Sequence, residues 1–280
     1  MAEITTADIK KLRELTGAGM SDTKQALVAA DGDFDKAIES LRLKGLKGVV
    51  KRGERTASNG LVTAWLDGTR AGTLLELNCE TDFVAKSERF QALAADVLRT
   101  VVERRPADVA ELLGGPLAGA EDITVEAHLS EAGIALSEKL EVNRFVTFEG
   151  AYVAAYLHRT SPDLPPTIGV LVELGGENAE LASDLAKHVS WAAPQFLARD
   201  EVPAGTVETE RRIAEQLARE EGKPEAALSK IVEGRVSGFY KEVVLLEQAF
   251  VKDNKRTVGQ ILEEGGLSLV RFARFKVGEA

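Results

Sequence analysis

The sequence predicts an α+β protein: an N-terminal three-helix unit (1–44), a basic linker (45–57), and a core of two similar βα subdomains with antiparallel sheets (58–140, then 141–201 and 239–280). An antiparallel helical hairpin (202–238) is inserted in the second subdomain. Three observations carry this reading. Residues 1–44 show helical spacing of apolar residues cut by start and stop signals. The strand-like run Ala71-Gly72-Thr73-Leu74-Leu75-Glu76-Leu77 recurs as Ile168-Gly169-Val170-Leu171-Val172-Glu173-Leu174, and each copy is followed by a helical pattern. Residues 203–238 are charge-rich, carry a narrow apolar stripe and break at Gly222-Lys223-Pro224.

In the first unit Thr5 with Asp8 fits a capping box, Ile9, Leu12 and Leu15 form the inward stripe, and Gly17 is the expected stop. Ser21 is expected to cap a second helix carrying Ala26, Leu27 and Ala30, closed by Gly32. Asp33 then caps a third helix with Phe34, Ile38 and Leu41 inward. Gly17-Ala18-Gly19 is an interhelix turn and not a phosphate loop, because Asp22 replaces the third glycine and a helix, not a strand, precedes it. The stretch around Lys44, Lys47, Lys51 and Arg52 is spaced by Gly45, Gly48 and Gly53 and lacks aromatics to stack bases, so it reads as a solvated linker.

In the core, strands at 61–66 and 72–77 form a hairpin around Asp67-Gly68-Thr69-Arg70. Ser87 caps a helix with Phe90, Leu93, Ala94, Val97, Leu98 and Val101 on one stripe, and helices are expected at 108–113 and 124–140. Strands at 142–148 and 151–158 flank Glu149-Gly150, a third strand covers 168–174, and a helix from Asn178 buries Leu181, Leu185, Val189 and Trp191. The hairpin would bury Val207, Ile213 and Leu217. The chain returns through 243–250, a Thr257-capped helix with Val258, Ile261 and Leu262, and a last strand over 269–277.

A chain of 280 residues can bury a sizeable core, and its net charge of −10 argues against direct nucleic-acid binding, which needs a basic footprint. With Cys79 as the only cysteine no intrachain disulfide is available, and neither a signal core nor a membrane-length apolar run is present, so the expected location is cytoplasmic. No catalytic residue, metal ligand or cofactor is assigned. His128, His158 and His188 have no ligand spacing, and Cys79, at the end of an apolar strand, reads as a packed thiol before it reads as a nucleophile.

The informative stretch is Asn78-Cys79-Glu80-Thr81-Asp82-Phe83-Val84-Ala85-Lys86, at a strand-to-helix junction. In register with the second copy, Val84 meets Leu181 and Ala85 meets Ala182, but Asp82 and Phe83 meet Ala179 and Glu180. The shared scaffold therefore does not need an aromatic at 83. Phe83 is read as offered to something outside the chain, against the plainer reading that it folds onto the core.

This signature, with Leu12-Arg13-Glu14-Leu15-Thr16-Gly17-Ala18-Gly19-Met20 before it, resembles the bacterial elongation factor Ts family, and the likeness runs the length of the chain. The resemblance implies a ubiquitin-associated-like (UBA-like) three-helix domain, a coiled-coil hairpin, and guanine-nucleotide exchange on elongation factor Tu. By resemblance, Thr81, Asp82, Phe83 and Val84 dislodge the partner's magnesium, with Phe83 as wedge. Arg13, Met20 and His158 match further contact positions, although Ser21 stands where a second methionine is common. Family members that continue into a C-terminal helical module make contacts expected to be missing here. Whether two complexes pair through the hairpin is left open. The rival reading is a binding module without exchange activity.

Overall fold

The computed structural model describes residues 4–16, 18–52 and 55–279. The N-terminal unit comprises α1 (Thr6–Thr16), α2 (Met20–Ala29) and α3 (Phe34–Arg52) around Leu12, Ala26, Leu27, Ala37 and Leu41. The Asp8 amide donates to Thr5 Oγ1 (3.2 Å) and the Thr5 amide to Asp8 Oδ2 (2.9 Å), closing the expected capping box. Asp33 caps α3 through the Lys36 amide (3.1 Å). Ser21 does not cap α2: the N-cap is Gly19, with no side-chain bond, and Ser21 is already helical. Leu15 is 64% exposed, because Leu12 closes the small core one turn earlier. Gly17, the expected stop, lies outside the described residues. The helix α3 runs to Arg52, through most of the expected linker. Its Gly45 lies flush against Ile134, where a Cβ would come within 2.9 Å, so tertiary packing outweighs the intrinsic cost of glycine in a helix.

The first half of the core runs β1 (Asn59–Asp67), β2 (Ala71–Cys79), α4 (Asp82–Lys86), α5 (Glu88–Arg104), α6 (Val109–Gly114), β3 (Pro116–Leu117), β4 (Ala120–Thr124), α7 (Val125–Leu136) and β5 (Glu141–Glu149). The second runs β6 (Tyr152–His158), β7 (Ile168–Leu174), α8 (Ala179–Ala192), α9 (Ala204–Glu220), α10 (Glu225–Val243), β8 (Ala249–Phe250), β9 (Asp253–Thr257), α11 (Val258–Glu264) and β10 (Leu269–Lys276). Both main sheets are antiparallel, ordered β1-β2-β5 and β10-β7-β6. This corrects the boundary expected at 141: β5 does not form a hairpin with β6 but completes the first sheet against β2. The corner between them crosses the β1–β2 turn, where Gly150 and Val153 amides donate to Arg70 O (2.9 Å) and Thr69 O (2.7 Å).

The halves are related more closely than β2 and β7 alone suggest. Equal register positions pair Val62 with Val153 and Leu66 with Leu157 on β1 and β6. On the third strands, Arg144-Phe145-Val146-Thr147-Phe148 matches Arg271-Phe272-Ala273-Arg274-Phe275. The sheets meet through Val62, Leu74 and Phe148 from one and Val153, Leu171 and Phe275 from the other, each residue facing its counterparts. Glycines permit the approach. A Cβ on Gly72 would meet Leu66, Val153 and Leu171, and one on Gly169 would meet the equivalent Leu157, Val62 and Leu74.

Two arginines cross this seam. Arg144 Nε donates to buried Glu76 Oε2 in its own sheet (2.8 Å), while its guanidinium lies 4.6 Å from the Phe275 ring centroid in the other. Arg271 Nε donates to buried Glu173 Oε2 (2.5 Å) and lies 4.3 Å from the Phe148 ring. Each also donates to the far strand's backbone, Arg144 to Lys276 O (3.4 Å) and Arg271 to Glu149 O (3.2 Å). Arginine suits this task because its planar head forks onto a carboxylate and stacks on a ring at once.

Outside the first sheet α5 and α7 cover Leu75, Leu77 and Cys79, with the whole expected α5 stripe buried. Outside the second, α8 and α11 cover Val170, Val172 and Leu174. Trp191, expected inward, is 77% exposed: Leu185 and Val189 occupy the buried stripe and Trp191 lies off it. Buried His188 donates from Nε2 to Gln248 Oε1 (3.0 Å) and accepts the Val251 amide at Nδ1 (3.2 Å), which ties α8 to the returning chain as a neutral imidazole. In the hairpin the seam is Ala214, Val232 and Val236 with Val207 and Tyr240, while Ile213 and Leu217 face outward, contrary to expectation. The smaller alanines at 214 and 218 let the arms approach. Gly222, at φ 70°, makes the turn, and α10 continues past the expected end at 238 to Val243.

Removing one partner of a buried ion pair strands the other, so Arg144→Met and Arg271→Met should each cost about 3 kcal/mol, read from urea midpoints. Burial holds His188 below its ordinary value of 6.5, with the Gln248 bond offsetting this in part. The unfolded chain therefore takes up that proton at a higher pH than the native state. Its stability contribution is complete above about pH 6.5 and falls as pH drops below it. His188→Gln should flatten that part of a stability–pH curve.

Candidate partner-binding site

At the end of β2 the chain turns through Glu80 and Thr81 into α4, whose first two residues are Asp82 and Phe83. Thr81 is the N-cap: its Oγ1 accepts the Val84 amide (3.3 Å). Val84 packs onto the first-half core and Ala85 is buried, so the helix is pinned from beneath. Ser87 ends α4 and caps α5 through the Phe90 amide (3.3 Å), giving a sharp bend between the two helices.

Phe83 is 80% exposed on this pinned turn, with Lys86 Nζ 5.9 Å from its ring centroid. Folding back onto the core, the plainer reading of its position, is not what the ring does. Asp82 makes an i,i+4 ion pair with Lys86 (2.9 Å), and that bond holds its carboxyl below the usual carboxylate range.

The turn is strapped to the loop after α7. Glu138 Oε2 accepts the amides of Glu80 (3.0 Å) and Thr81 (3.1 Å), and its Oε1 accepts the Thr81 hydroxyl (2.5 Å). Glu80 reciprocates by accepting the Lys139 amide (2.6 Å) and pairs with Arg55 (3.2 Å). Sequence reading extends α7 to 140 and so hides Glu138 on a helix surface. The helix ends at Leu136 because Ser137 adopts φ 60°, a left-handed cap filled without the glycine that usually announces one.

The remaining expected contact residues sit on other elements. Arg13 is exposed in the last turn of α1 and Met20, 48% exposed, opens α2. His158 ends the edge strand β6, exposed, with Nδ1 3.1 Å from the Tyr156 hydroxyl. Cys79 is buried beneath the corner and donates to Thr81 O (3.2 Å). Burial, and then the negative charge of Glu138, pushes its thiol up to about 12, the opposite of what a nucleophile needs. Among the described residues no group of three or more His, Cys, Asp or Glu is arranged to hold a metal ion, and no helix is long and apolar enough to cross a membrane.

Residues 80–279 match the family model described as elongation factor TS, a span that starts at the corner after β2 and takes in β5 of the first sheet and the whole of the second. The chain is 56% identical to elongation factor Ts of Thermobifida fusca over 280 residues, covering 100% of both chains. It is 56% identical to that of Acidothermus cellulolyticus over 279 residues and 52% identical to that of Mycobacterium tuberculosis over 280, again covering 100% of each. The chain belongs to the elongation factor Ts family.

Proposed function

We propose that this chain is a guanine-nucleotide exchange factor for elongation factor Tu, acting in the cytoplasm and without an active site of its own. The observation that carries the reading is a large apolar ring, 80% exposed, on a turn held by the Thr81 cap and by the packing of Val84 and Ala85. An exposed aromatic on a rigid support is the usual anchor of a protein–protein contact.

In this reading the partner holds its nucleotide through phosphates, magnesium and loop amides that support one another. Exchange requires the factor to bind the emptied, distorted state better than the loaded one, and linkage makes nucleotide weaken the factor in return. Phe83 enters the GTPase domain near the metal, and Asp82 acts on the same region by contact or charge. Thr81 and Val84 hold the turn, by capping and by packing. The UBA-like N-terminal unit, through Arg13 and Met20, grips the same domain, while the second half, with His158 at its edge, engages the partner elsewhere. Pairing of two complexes, where it occurs, would use the coiled-coil hairpin.

Phe83→Ala removes no internal contact of the core, so its melting temperature should stay near that of the parent. Its maximal GDP release should slow by about thirtyfold, as for loss of a 2 kcal/mol anchor. Stopped-flow release of a fluorescent GDP analogue from elongation factor Tu decides it, and a folded variant with an unchanged rate ends the reading. Cys79, in turn, should stay unmodified by a thiol reagent at pH 8 until denaturant is added. Rapid native labelling would revive a reactive cysteine.

A further inference from the structure

We propose that Glu138, outside the Thr81–Val84 motif, is the positioning residue that sets the direction in which Phe83 is presented. The proposal rests on the exchange reading above and adds a residue to it. Three donors converge on this one carboxylate, all from Glu80 and Thr81, the residues just before Asp82 and Phe83. Charge-assisted bonds of this kind are shorter and stiffer than neutral ones. The two amides, one from the Cys79–Glu80 peptide and one from the Glu80–Thr81 peptide, together with the Thr81 hydroxyl, hold these two successive peptide planes against one carboxylate, and the first turn of α4 follows directly from them.

The support is itself built. After Leu136 the left-handed Ser137 reverses the chain, and the Glu138 amide returns to Gly133 O (3.2 Å). Gly133 is needed there, since a Cβ would come within 2.9 Å of Glu138 O. The Lys139 amide then binds Glu80 Oε1, so the two segments clasp each other from both sides.

Starting a helix does not call for this clasp. At the equivalent corner of the second half the Asn178 side chain accepts the Leu181 amide (3.0 Å) and suffices to begin α8, with Glu180 in the place of Phe83. The extra carboxylate is found at the corner that carries the exposed ring. The preceding helix α7 also packs Ile134 against Gly45 of the N-terminal unit, so Glu138 lies two residues past the end of an element that contacts both regions.

The test uses the full chain with Glu138→Ala, Glu138→Gln, Thr81→Val and Thr81→Ser, each alone and with Phe83→Ala. GDP release is measured across factor concentrations, alongside hydrogen exchange of the 80, 81 and 84 amides. Glu138→Ala and Thr81→Val should lower the maximal release rate by about tenfold, with half-saturation moving less than about twofold. Amide protection at the corner should fall, while Thr81→Ser, which keeps the hydroxyl, stays near the parent. In the Phe83→Ala background neither variant should cost more than about a further twofold, because there is no ring left to aim.

Full release rates for folded Glu138→Ala and Thr81→Val beside an impaired Phe83→Ala overturn the positioning role alone. So do losses that multiply fully with that of Phe83→Ala. If Glu138→Ala does not fold, Glu138→Gln and Thr81→Val are judged by the same criteria. An unimpaired Phe83→Ala sinks the exchange reading and this proposal with it.

Discussion

Two arginines hold the halves of this molecule in register. Each is neutralised by a buried glutamate in its own sheet and laid against a phenylalanine of the opposite one. A charge in such a place is tolerated only with excellent geometry, and the duplicated arrangement satisfies that twice by the same means. The glycine pair on β2 and β7 lets the sheets come close enough for the guanidinium groups to reach across. The two features depend on each other: wider spacing would take the guanidinium groups off the opposite rings and backbone carbonyls, and removing the arginines would leave two buried glutamates unpaired. The helical layers then have a fixed surface on which to pack.

On this frame the equivalent corners of the two halves have parted ways. Both follow a central strand and both are started by a side-chain cap, Thr81 in one and Asn178 in the other. Beyond the cap one offers an aromatic and the other an acid. The aromatic corner gained a bend at Ser87, which keeps α4 to five residues and turns its exposed ring away from the α5 stripe. The two halves share a stable seat, and only one of the two seats carries a protruding ring.

Much of this was legible in the residues. The strand pair, the caps at Thr5, Asp33, Ser87 and Thr257, the start of a helix at Asn178, the stripe of α5 and the odd status of Phe83 all follow from local chemistry. What escaped is non-local. Glu149-Gly150 looks like a hairpin turn, and nothing near it says that β5 has already been claimed by β2 across the sheet. The matching Arg144 and Arg271 runs, and the β1 and β6 runs, carry the duplication as plainly as β2 and β7 do, but only with the strands assigned to their sheets. Trp191, Leu15, Ile213 and Leu217 show that helical spacing fixes a face and not how far the covering layer extends. Glu138 left no mark because its cap uses serine in a conformation that usually selects glycine.

The order of the strands also has a bearing on biogenesis. The third strand of the second sheet is β10, so that sheet, and the place of Phe275 in the seam, is filled only when the last of these strands has been made. Arg144 can meet Glu76 early, yet its phenylalanine is synthesised more than a hundred residues afterwards. Until then Val62 and Leu74 have Val153 and Leu171 available as cover, while Arg144 has its carboxylate but not its ring.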